Sequence, residues 1–299
     1  MADEKELLQV IVPRNALKYD YLMDGILALS SLDMAIASED TAESSEYARA
    51  GLEYYDRGLC AYTVDLGKIT PENYLAVFLF STVCLPMSLL RPRFAPGGDS
   101  GKSARKCVTA LFEALLGTAY VAVATWDLLE AGPIKTRAWL HQNVPVESLD
   151  EETKAAIARL HTLNDSVHHN EAGCEIGIAG SRKVSLHESY QNSILHLEGC
   201  FARDIDGTVK GSCLTWLGLA GQHFAAAFRR SDPITLVMMM YWGVLLENLG
   251  KEAWWATQVG RNLIQELSDE LQQLQFASLP VWQECIIWAR QQAGLPDLM

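Results

Sequence analysis

A marked departure from a mixed pattern of hydrophobic and polar residues lies between Ser231 and Gly250, in SDPITLVMMMYWGVLLENLG. From Ile234 to Leu246 no residue is charged. A helix with no polar stripe has no face to turn to water, so the segment predicts a helix enclosed by protein. Asp232 or Ser231 can cap it, and Pro233 occupies a first turn where the missing N–H costs nothing. Gly250 stands where a left-handed cap is expected. The uncharged run is thirteen residues long, short of the roughly 20 a bilayer requires.

The rest of the chain reads as helices of ordinary amphipathicity. Between Tyr19 and Ala37, Leu22, Ile26, Leu29 and Ala37 share one helical face. A polar loop, Ser38 to Ser45, leads into a second helix through Tyr54, Tyr55 and Leu59. Thr70-Pro71-Glu72 is a helix start for the run Tyr74 to Leu90, which Pro86 should kink or end. Ser81, Thr82, Pro86 and Ser88 argue against that run crossing a membrane. Cys107 to Glu130 predicts a long second buried helix, stopped by Gly132-Pro133. Further helices are expected at Ser185–Cys200, with Tyr190, Ile194 and Leu197 inward, and at Leu214–Phe228. Two more follow, over Lys251–Leu274, with a clean apolar face, and over Val281–Ala293. No period-two alternation and no short repeat is present. The expectation is all-α, a single large helical domain over 1–299 around a central apolar helix at about 232–249, with a variable polar segment at about 135–211.

Composition narrows the partners. The chain has 299 residues, 49% of them hydrophobic, enough for one large core or two packed halves. A net charge of −13 speaks against direct contact with nucleic acid, which needs clustered Lys and Arg. Seven cysteines are scattered without a CxxC pair, the pattern of a reduced, intracellular protein, cytoplasmic or nuclear. Six of the seven histidines fall between Lys135 and Gly211, none in a ligand spacing, so neither a metal nor another cofactor is expected. The GGDSGKS at 97–103 has Pro96 where a phosphate loop needs Gly, and no strand precedes it, which excludes that reading. No membrane span is expected. Apolar residues on the terminal helices would serve a homodimer.

Three pieces carry a family likeness: VPRNALKYDYLMDGILALSSLDMA, LFEALLGTAYVAVATWDLL, and the long stretch from WLGLAGQHF through SDPITLVMMMYWGVLLENLGKEAWWATQVGRNLIQEL. Together their order resembles the C-terminal regulatory, sterol-sensor-like domain of fungal zinc-cluster transcription factors. The resemblance covers most of the chain and is weakest from Lys135 to Gly211. It departs from that family in two ways. The zinc cluster and basic linker that normally come first are missing ahead of the domain, and Asp20, Asp24, Asp33 and Glu247-Asn248 stand where the family tends to carry histidines.

The resemblance implies a helical domain able to enclose a sterol-sized molecule, and two functions then stay open. In one, the chain is a free-standing regulatory-like protein that binds a sterol or terpenoid without binding DNA. Its binding wall would be Met238, Met239, Tyr241, Trp242, Trp254 and Trp255. In the other it is a cofactor-independent enzyme of secondary metabolism, a cyclase, isomerase or pericyclase such as a Diels-Alderase, acting on a terpenoid or polyketide. The catalytic candidates are the polar groups that interrupt apolar segments: Asp24, Asp33, Glu113, His223 and Glu247, with Tyr241 as a further donor. No Ser/His/Asp or Cys/His constellation follows from spacing.

Overall fold

The computed structural model describes residues 4–94, 103–134, 149–168, 175–176, 184–206, 212–274 and 279–296. The class is all-α. Contacts between residues gather into two compact units, Met1–Lys102 with Ala110–Gln142, and Ser103–Thr109 with Asn143–Met299.

The first unit opens on short helical turns, Glu4–Glu6 and Val12–Ala16, joined by a π turn over Leu7–Ile11. Helices α1 (Asp20–Ala37) and α2 (Thr41–Leu66) then pack along each other. The polar loop between them is shorter than expected because Asp40 caps α2, its Oδ1 accepting from the N–H groups of Ala42 at 2.7 Å and Glu43 at 3.2 Å. Helix α3 (Tyr74–Phe94) lies against both and runs through Pro86 without ending. Its Phe80 is the hub of an aromatic cluster. Tyr62, Tyr21 and Tyr55 place their rings 4.7, 5.6 and 6.2 Å from it.

The helix expected over Cys107–Glu130 is two: α4 (Ala104–Ala124) and α5 (Trp126–Ala131), parted at Thr125, whose φ of −114° and ψ of 14° leave the helical region. The expectation that it is buried is corrected as well. Cys107, Val108, Leu111, Phe112 and Val121 turn inward, while Tyr120 is 71% and Val123 74% exposed. Lack of charge is not burial where the outer face is made of alanine, glycine and single apolar side chains. By length and composition alone, α3 and α4 are long and apolar enough to cross a membrane. The most apolar stretch of α3 is 61% buried, as in the core helix of a soluble protein, and that of α4 28%.

The second unit is built from α6 (Glu151–His168), α7 (Leu186–Asp206), α8 (Ser212–Arg229), α9 (Pro233–Glu252), α10 (Val259–Gln272) and α11 (Pro280–Gln292). Between α6 and α7, Glu175–Ile176 and Val184–Ser185 pair as two antiparallel two-residue strands. Tyr190, Ile194 and Leu197 of α7 face inward as their spacing predicts. Helix α8 bends at Gly221, whose φ of 80° a side chain would resist.

Helix α9 keeps every residue from Ile234 to Leu246 buried. Asp232 caps it, accepting from the Thr235 N–H at 3.2 Å. The expected stop at Gly250 is corrected: the helix continues to Glu252, and Gly250 has no left-handed backbone. Glycine is needed there for proximity, since a Cβ would come 2.7 Å from the Ala256 carbonyl oxygen. The turn Trp254–Ala256 and Gln258, at φ 64°, reverse the chain so that α10 crosses α9 closely. A Cβ on Gly260 would collide with the backbone at Gly243 and Glu247. At the other end of the unit, Arg105 reaches Glu270 at 2.5 Å and the carbonyl of Phe228 at 2.6 Å, and lies over the Phe228 ring. Ser103 donates to Glu266 at 2.6 Å beside it.

Candidate functional site

The densest aromatic and sulfur-bearing surface of the second unit is α9 itself. Met238, Met239, Met240, Tyr241 and Trp242 are all buried. The polar edges of the rings are tied to backbone. Trp242 donates its Nε1–H to the Cys213 carbonyl at 2.8 Å, and Trp216, whose ring lies 6.4 Å from that of Trp242, donates to the Ser193 carbonyl at 2.8 Å. Both aromatic frames are thereby fixed, whereas the three methionines that precede Tyr241 on α9 have unbranched, adaptable side chains. Trp254 and Trp255, expected in the same wall, are half-buried in the turn after α9.

Tyr241 is the polar end of this surface. It projects from α9 to α6 and α11, where its hydroxyl donates to the Ala156 carbonyl at 3.2 Å. The Cys285 thiol and the Arg159 guanidinium both come within bonding reach of the same oxygen. Its ring lies 4.4 Å from that of Trp288, which in turn meets Phe201 at 5.9 Å. Burial pushes the Tyr241 phenol well up, with Cys285 adding to the rise and Arg159 opposing it. Burial likewise pushes the Cys285 thiol up to about 11, against the pull of Tyr241 and Arg159. Both stay protonated at neutral pH, so Cys285 is no thiolate nucleophile.

Two donors in this neighbourhood are left over. The Arg159 Nε and Trp288 Nε1 atoms are buried and meet no acceptor among the described residues. A buried donor in that condition costs about 1–3 kcal/mol. Sequence patterning gives no sign of this arrangement: Arg159 falls in the segment read as variable and polar, and Cys285 and Trp288 fall in the helix expected over Val281–Ala293, with no role assigned.

The catalytic candidates do not gather. Asp24, in the first unit, is buried and held by the guanidinium of Arg57 through bonds of 2.9 and 2.5 Å. Asp33 and Glu113, in the same unit, are exposed. In the second unit His223 is exposed on α8, and Glu247 accepts from the Arg261 N–H at 2.9 Å, which fastens α9 to α10. Of the histidines, His141 and His169 lie outside the described residues, and His187 pairs with Asp165 at 2.7 Å. Among the described residues no three His, Cys, Asp or Glu side chains form a group that could hold a metal ion.

Compared with family models, curated proteins and solved structures, the chain matches none of them.

Proposed function

We propose that the chain is a binding protein whose second unit takes up a sterol- or terpenoid-sized apolar molecule beside α9, as its resemblance to fungal regulatory domains implies. The observation that supports this reading is the uncharged, fully buried run Ile234–Leu246, which carries three successive methionines followed by Tyr241 and Trp242, the latter's indole fixed to backbone. Methionine side chains can rearrange around a guest at little cost, and apolar contact supplies about 25 cal/mol for each Å² removed from water. The alternative, a cyclase, isomerase or pericyclase acting on a terpenoid or polyketide, has less behind it. Each of its candidate carboxylates is exposed, ion-paired or engaged with backbone, and such groups are poor proton donors to a buried substrate.

Native mass spectrometry of the full chain, incubated with ergosterol and with a set of cyclic terpenoids, tests the reading. A retained, unchanged compound is the expected result. Conversion to an isomer would shift the assignment to an enzyme, and a protein that stays empty with every compound would defeat the binding reading.

A further inference from the structure

We propose that Arg159 and Trp288 form the receiving end for the carboxylate of an apolar acid bound in the second unit. This rests on the binding reading above and names the chemical class of its ligand.

The argument begins from the two unmatched donors. Native proteins leave few buried N–H groups without an acceptor, and here two of them border one side chain, Tyr241: Trp288 through ring contact at 4.4 Å and Arg159 through the hydroxyl. Trp288 is only 4% exposed, so bulk water does not serve its indole N–H. Among the described residues no carboxylate lies within ion-pair distance of Arg159. The polar groups beside it that the described residues show are the Tyr241 phenol and the Cys285 thiol, both uncharged. A half-buried guanidinium whose described neighbours are neutral is free to take an anion, and a planar acceptor with several lone pairs suits both a guanidinium edge and an indole N–H.

The surroundings set the remainder of the ligand. Tyr241, Trp288 and Phe201 present ring surface, and α9 continues as the methionine run. A sugar would set several hydroxyls against these apolar side chains. An acid with one carboxylate and a hydrocarbon skeleton would not.

The test is calorimetric titration of the full chain with abietic acid and lithocholic acid, each beside its methyl ester, which keeps the skeleton and removes the charge. At least one acid should bind about tenfold more tightly than its ester, a difference that calorimetry separates readily. Arg159→Gln should bring that acid down to the affinity of the ester, and Trp288→Phe should weaken the acid more than the ester. Trp288→Phe keeps an aromatic ring in place and decides the matter should Arg159→Gln fail to fold. Equal binding of acid and ester, or an acid preference that survives both substitutions, overturns the carboxylate site and leaves the apolar binding protein standing. Failure of all four compounds to bind overturns both.

Discussion

A single buried N–H can be weighed by comparing the same substitution at a matched and an unmatched donor. In the ligand-free protein Trp288→Phe removes a donor that meets no acceptor among the described residues, so beyond the packing lost with the smaller ring it should cost nothing in hydrogen bonding, whereas truncating a paired buried donor costs about 1 kcal/mol or more besides. Trp242 supplies the contrast. Its indole donates to Cys213 at 2.8 Å, and Trp242→Phe leaves that carbonyl without its bond and lowers the melting temperature. Asp24 behaves differently from either. Asp24→Asn breaks the pair with Arg57 and should reduce thermal stability while leaving ligand uptake by the second unit intact. Differential scanning fluorimetry and titration of the same preparations separate these outcomes.

Among the elements, the crossing of α9 and α10 has the least tolerance. Gly260→Ala would drive a methyl group into the backbone of α9 at Gly243 and Glu247, and should cost about 3 kcal/mol, the upper range for overpacking, read as a shift in the urea midpoint. Helix existence was legible in the sequence wherever a cap and a period coincided: Asp232 with Pro233 opens α9, and the spacing of Tyr190, Ile194 and Leu197 gives the inner face of α7. Boundaries were less so. Gly250 looks like a stop because glycine favours helix ends, yet here the reason for glycine is the nearness of Ala256, a tertiary contact invisible in a local window. Helix α4 misled for a related reason: its alanines and glycine carry no charge, and nothing local tells a small residue facing water from one facing protein. The grouping of Arg159 with Tyr241, Cys285 and Trp288 could not be read at all, because three separate helices bring these residues together and each alone has an ordinary role.

Across the whole chain, buried phenols and thiols set the response to alkali. Burial raises Tyr62 to about 12 and Cys200 to about 11, and raises Tyr21, Tyr55, Cys84, Cys213, Tyr241 and Cys285 as well. In the unfolded chain thiols ionise near 9.0 and phenols near 10.0, before their folded counterparts do. The folded state then holds more protons than the unfolded one, so stability is complete below about pH 9 and falls as pH rises beyond it, by about 1.4 kcal/mol per pH unit for each such group. Thermal melts under reducing conditions from pH 7 to pH 11 should show a plateau and then a steep decline; a flat profile would mean that these side chains ionise freely in place.

The position of Arg105 bears on how the chain could be dissected. Residues 103–109 belong with the second unit, although most of α4 belongs to the first. A fragment begun at Asn143 would therefore lack the cation that neutralises Glu270 and bonds the Phe228 carbonyl, and would also lose the serine hydroxyl on Glu266. Such a fragment should recover its stability when a synthetic peptide covering 103–109 is added in trans, and should not when the peptide carries alanine in place of Arg105.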